Sequence, residues 1–120
     1  HFMLVRKSLF TELGGFDESF FVYGEDVDFC YRAKKQGWQI MYLPQWEAIH
    51  FKGAGVGVRK ETSDITTATL ETKRKMSLGS AEAMRLFYNK HYRQVYPRLF
   101  TLGVLALIAL KGQLRARKDR

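Results

Sequence analysis

Residues 14–53 read GGFDESFFVYGEDVDFCYRAKKQGWQIMYLPQWEAIHFKG. A glycine pair opens the stretch, and residues 16–24 continue it as a loop rich in aromatics. Residues 25–36 then carry a helical pattern: acids at the start suit the positive end of the dipole, Lys34 and Lys35 suit the other end, and Gly37 is a stop. On a helical wheel Glu25, Asp28, Arg32, Lys35 and Gln36 share a polar arc, whereas Val27, Phe29, Cys30, Tyr31 and Ala33 share the opposite one. Asp28 has Arg32 as its i,i+4 partner, so an exposed surface pair is expected there. Asp26 falls inside the apolar arc. Two readings of that inward carboxylate stand: an acid bonded to backbone N–H groups of its own first turn, or a general base held at a cleft. Burial would raise its pKa and the helix dipole would lower it, and the residues alone leave the choice open.

Working outward, residues 39–43 and 47–51 are strand candidates separated by a turn at Pro44, and His50 closes the second. A lone histidine is either a satisfied structural residue or one ligand of a metal whose other ligands lie elsewhere, since one imidazole cannot hold an ion. Upstream, residues 2–6 read as a strand and residues 8–13 as a short helix closed by Gly14 and Gly15. The apolar opening has no polar lead-in, so the chain is expected to begin inside a larger domain. No secretory signal is read there, because the opening lacks a long apolar run ending in small residues. Residues 52–69 shift to Gly, Thr, Ser and charge and read as a functional loop. Met76, Ala83, Met84, Phe87, Tyr88 and His91 recur at helical spacing, which predicts a helix over 71–92, and Pro97 is placed to open another.

With 120 residues, 46% of them hydrophobic, the chain can fold around a core of its own. A single cysteine excludes an internal disulfide framework and a multi-cysteine metal site. Twenty Lys and Arg against twelve Asp and Glu give a formal charge of +8, which favours an anionic partner. That charge is segregated. Glu12, Asp17, Glu18, Glu25, Asp26 and Asp28 are half of the twelve acids, in a span without Lys or Arg, while Asp119 is the one acid after Glu82. Residues 99–110, LFTLGVLALIAL, are uncharged and lie between Arg98 and Lys111. Their run falls short of the about 20 residues that cross a bilayer, so it reads as an interfacial helix whose flanking cations favour anionic lipid, or as a core or oligomer helix. Tyr88, Tyr92 and Tyr96 interleaved with Lys90 and Arg93 raise nucleic acid as an alternative partner. Spacing of four is commoner for packing, and no zinc-finger or RNA-recognition signature accompanies it, so nucleic acid is disfavoured.

The series Gly14-Gly15-Phe16-Asp17-Glu18, Gly24-Glu25-Asp26-Val27-Asp28, Arg32, Gly37-Trp38, Tyr42-Leu43-Pro44 and His50, in that order, resembles the later half of the catalytic domain of family 2 glycosyltransferases. These are inverting enzymes of the GT-A type, and the likeness is to their rhamnosyltransferase-like branch. Phe87-Tyr88-Asn89-Lys90-His91-Tyr92 resembles the helical segment that follows the domain in that branch. The resemblance implies an α/β fold: the C-terminal half of a GT-A fold over residues 1–70, with an appended, membrane-associating helical segment over 71–120. It implies Asp26 as the catalytic base, with Glu25, Gly14 and Gly15 on the acceptor side. His50 would be a ligand to a divalent metal, Mg²⁺ or Mn²⁺, on the donor diphosphate. The substrates implied are a nucleotide-sugar donor and a sugar or lipid-linked acceptor in cell-envelope polysaccharide synthesis. The implied location is the cytoplasm, peripheral on the inner face of the cell membrane.

The family's nucleotide-binding half, with its Asp-x-Asp motif, has no counterpart in these residues. A fragment inactive by itself is therefore expected, with the remaining metal ligands elsewhere. An uncovered sheet face would favour a homo-oligomer. The alternative of another class is a non-catalytic membrane- or protein-interaction fragment.

Overall fold

The computed structural model describes residues 2–49 and 70–118. Four helices follow in order: α1 (Lys7–Glu12), α2 (Glu25–Lys35), α3 (Leu70–His91) and α4 (Arg98–Lys118). α1 and α2 stop by the same device. Gly14 and Gly37 adopt left-handed backbone, φ 71° and 86°. Behind them the N–H of Gly15 reaches the carbonyl of Phe10 at 2.8 Å and that of Trp38 reaches Ala33 at 3.0 Å. This crossed pattern satisfies carbonyls that a helix end otherwise leaves open, and it turns the chain sharply. Gly24, φ 91°, stands at the start of α2, where a Cβ would press within 3.3 Å of both the Phe20 ring and Ala83. Glycine is required there by conformation and by space.

The expected α/β pattern is not what the described residues form: they are helical, and no strand occurs among them. Residues 2–6 and 39–43 lack a ladder, as does the described part of 47–51, whose last two residues lie outside the described set. A strand exists by pairing, since its N–H and C=O groups must find a neighbouring chain, and among the described residues these segments have none. Apart from Val5, which packs on the core, their apolar side chains face outward, Ile49 at 89% exposure being the extreme.

The core is small and local. Leu9 of α1 packs on Phe29 and Ala33 of α2, with Val5, Leu13 and Trp38 around them. Phe10, Phe16 and Phe29 close a ring triangle with centroids 5.4–5.7 Å apart. A second aromatic group joins α2 to the end of α3, where Tyr31 lies 4.3 Å from the His91 ring and 5.4 Å from Phe87. Each such contact adds about 0.5–1.5 kcal/mol beyond its buried area. The tyrosine stripe is packing, as its spacing suggests: Tyr88, Tyr92, Tyr96 and Phe100 follow one another at 5.2–6.0 Å.

α3 and α4 form an antiparallel hairpin. Tyr88 meets Thr101 at 3.4 Å near the turn, and Arg115 donates to Ser80 at 3.1 Å at the far end. Between them buried Gly112 sits against Ala81 so closely that an added Cβ would stand 3.0 Å from the Ala81 methyl. Small residues at this crossing let the helices approach. Gly112→Leu should therefore force them apart and lower stability by about 1–3 kcal/mol, read as a reduced urea midpoint. An unchanged midpoint would show that the pairing does not hold.

Candidate functional site

The organising group is Asp28, whose side chain is 0% exposed. Its Oδ2 accepts from Arg32 Nε at 2.7 Å, and its Oδ1 faces His91 Nε2 at 2.7 Å and Lys90 Nζ at 2.8 Å. The i,i+4 pair with Arg32 forms as the spacing predicts, but the exposed face expected for it is wrong. Val27, assigned to the apolar arc, is 54% exposed, while Asp28 is sealed. The physical reason is tertiary: α3 docks on the side of α2 that bears Asp28 and brings Lys90 and His91 to it. A wheel drawn from α2 alone has no access to them.

Arg32 extends the network backwards. Its two terminal nitrogens donate to the carbonyls of Leu13 and Gly15, both at 2.7 Å, so the fork clamps the glycine turn after α1 to the middle of α2. Lys90 bridges Asp28 to Asp17, at 2.8 and 2.5 Å, and lies over the Phe20 ring at 5.8 Å. Asp17 in turn accepts from the Ser19 backbone N–H at 2.9 Å and from its hydroxyl at 2.6 Å. Three segments distant in sequence are thus tied by charge-assisted bonds, the strong class of hydrogen bond.

Burial pushes the Asp28 carboxyl up, but the bonds from Lys90, His91 and Arg32 outweigh it and hold the group below its ordinary 3.8. The Lys90 contact, helped by Ser19, holds Asp17 well below the usual carboxylate range. Burial works against the Lys90 ammonium, yet Asp17 and Asp28 together raise its pKa above the ordinary 10.5. All three groups therefore stay charged through neutral pH.

Beside the network lies an open cavity of about 230 Å³ lined by Leu13, Gly14, Gly15, Phe16, Asp17, Arg32 and Lys90. Gly14 and Gly15, predicted on the acceptor side, thus line a cavity together. Asp26 and Glu25 do not line it. Asp26 is half-buried at the start of α2, and its Oδ1 accepts the Val27 N–H at 2.8 Å. Its other oxygen has no hydrogen bond among the described residues. Glu25 turns Oε2 into a buried position without a hydrogen-bond partner among those residues. His50 lies outside the described residues. No group of three or more His, Cys, Asp or Glu able to hold a metal occurs among the described residues.

The sequence reading missed His91 and Lys90 as partners of Asp28, and Asp17 as the second partner of Lys90. The available signal was Lys90-His91 at the end of a long helix, beside the aromatic residues Phe87 and Tyr88: a cation and an imidazole on a packed face suit an acidic partner.

The profile described as Glycosyl transferase family group 2 matches residues 1–112, and the chain belongs to that family. The N-acetylglucosaminyl-diphospho-decaprenol L-rhamnosyltransferase of Mycobacterium tuberculosis is 47% identical over 55 residues, 46% of this chain and 18% of that protein. Rhamnosyltransferase WbbL of Escherichia coli K12 is 46% identical over 50 residues, 42% of this chain and 19% of that protein. A low-salt glycan biosynthesis hexosyltransferase of Haloferax volcanii is 40% identical over 48 residues, 40% of this chain and 16% of that protein. The chain thus matches less than a fifth of the length of these relatives. No solved structure matches it significantly.

Two outcomes follow from the network. Asp28→Ala should cost about 1–3 kcal/mol in chemical denaturation, because it removes the buried acceptor that Arg32, Lys90 and His91 share, whereas Asp26→Asn, at a half-buried site, should change stability by no more than about 0.5 kcal/mol. Equal effects would refute the placement of Asp28. Because the Asp17 and Asp28 carboxyls bind protons less readily folded than unfolded, their contribution is fully present above the ordinary 3.8 and is lost as pH falls below it. A urea series on the acid side should show a shallower loss for Asp28→Asn than for the parent chain; parallel slopes would contradict the shift.

Proposed function

We propose that the chain is the acceptor-side part of an inverting glycosyltransferase. The whole protein would move a sugar, a hexose of the rhamnose type, from a nucleotide-diphosphate donor to an acceptor hydroxyl in cell-envelope polysaccharide synthesis. Family membership supports sugar transfer, and the relatives, two of them rhamnosyltransferases, support the sugar class. The observation that carries the site reading is the first turn of α2. Asp28 locks it from behind, and Asp26, two residues earlier, keeps one carboxylate oxygen without a hydrogen bond among the described residues.

In this reading Asp26 accepts the proton of the acceptor hydroxyl as its oxygen attacks the anomeric carbon. The bond from that carbon to the phosphate oxygen breaks, and the nucleoside diphosphate leaves with the electron pair. A single displacement from the face opposite the leaving group inverts the configuration. Asp26 sits at the start of α2 and keeps one carboxylate oxygen without a hydrogen bond among the described residues, available to take a proton. Gly14 and Gly15 shape the acceptor side, and Glu25 orders the helix start or contacts the acceptor. A divalent ion, Mg²⁺ or Mn²⁺, would neutralise the leaving diphosphate, with His50 as the candidate ligand in this chain and the others outside it.

The exposed apolar side chains of residues 2–6 and 39–49 support the GT-A reading: they are suited to strands that gain their neighbours in the complete catalytic domain. The isolated chain would then be inactive, and an acceptor linked to lipid would place residues 98–120 against the membrane. In the complete protein Asp26→Asn should lower kcat by about 10²–10⁴-fold with donor binding unchanged, measured by sugar transfer and by donor titration. Normal turnover in that variant would sink the assignment.

A further inference from the structure

α4 is apolar almost all round, yet α3 covers one side of it. Thr101, Val104, Leu105, Ile108 and Gly112 turn toward α3 and are buried or half-buried. Leu99, Leu102, Leu107, Leu110 and Leu114 turn away from it, with Leu99 85% and Leu107 68% exposed. The uncharged run 99–110 falls short of a span, but with its flanks the helix segment Arg98–Arg117 is by length and composition able to cross a membrane, at a mean hydropathy of 1.5, and only 6% of it is buried. A core helix of the described fold would show the opposite burial. The outer leucine stripe therefore has to be covered by something.

Charge selects the occupant. Arg98 stands at one end of α4, and Lys111 and Arg117 stand at the other, with Arg115 turned to Ser80 of α3, while no acid occurs between Glu82 and Asp119. A second copy laid on this face in either direction would bring cations against cations with no acid in α4 to offset them. An anionic lipid surface offers both things the face requires, acyl chains for the leucines and phosphates for the cations. The hairpin also fixes the orientation. α3 runs beside α4 and carries Glu82 and Arg85 exposed, so a spanning α4 would drag those charges into hydrocarbon.

We infer that the α3–α4 hairpin rests flat on an anionic bilayer, with the outer leucines of α4 dipped between headgroups and α3 held on the water side. This rests on the membrane contact proposed above and gives it a face, a lipid class and an orientation. Such docking sets the height of the α2 end over the membrane, because Lys90 and His91 at the end of α3 bind Asp28.

The experiment is flotation of the full chain with vesicles of phosphatidylcholine alone and of phosphatidylcholine mixed with phosphatidylglycerol. Binding should favour the mixed vesicles and fall with added salt. Lys111→Gln with Arg117→Gln should weaken it about 30-fold, at roughly fivefold per cation. Leu107→Glu with Leu110→Glu, which leaves the α3 contact alone, should abolish it. Leu99→Trp, Leu107→Trp and Leu114→Trp should report one shared shallow depth with brominated lipids. A deep Leu107→Trp between shallow ends would mean a span and would overturn the flat orientation. Equal binding to neutral vesicles would overturn the lipid class, and a lipid-free dimer dissolved by the leucine variants would overturn the occupant. No binding to either vesicle would remove membrane contact altogether, whereas the Asp26→Asn assay tests sugar transfer separately.

Discussion

A carboxylate with no solvent contact must be neutralised where it lies, and Asp28 meets that requirement with three partners drawn from two helices. Arg32 comes from its own helix, and Lys90 and His91 come from the end of α3. Because the first of these also grips the carbonyls of Leu13 and Gly15, satisfying one buried charge sets the mutual position of the glycine turn, α2 and α3. Desolvating the charge is expensive, so any arrangement that leaves a partner out is disfavoured. The hydrophobic core of Leu9, Phe29 and Ala33 is too small to specify this geometry alone.

The consequence for chemistry is that the start of α2 becomes rigid from its inner side. Asp26 and Asp28 stand two residues apart on one helix, and their environments diverge. One is half-buried and bonds a backbone N–H, whereas the other is sealed by cations that keep it ionised. A helix start held by a buried neighbour can present its other acid with little freedom, which is what the base role proposed for Asp26 would need. The same cations carry the link outward to the α3–α4 hairpin, so the acidic front and the basic tail of the sequence are mechanically one unit.

The helices were readable because their signals are local. Gly14 and Gly37 end α1 and α2 by conformational freedom, Pro97 precedes α4, and the apolar spacing from Met76 to His91 marks α3. The strand readings had weaker footing. Residues 2–6 and 39–43 have strand composition, but hydrogen-bonding partners decide a strand, and the described residues contain none for them. The glycine pair and Asp26 were singled out from motif and wheel; Gly14 and Gly15 line a cavity, and Asp26 does not line it.

By itself the sequence determined where the helices lie, how the charge divides into an acidic front and a basic end, and which family the motifs resemble, since all of these depend on neighbours along the chain. Only the tertiary structure decided which acid of α2 is buried. The wheel placed Asp28 outside and Val27 inside because it lacked the direction from which α3 arrives. Burial of a charge is a property of contacts 62 and 63 residues distant, Lys90 and His91 upon Asp28, and periodicity within one helix carries no information about them.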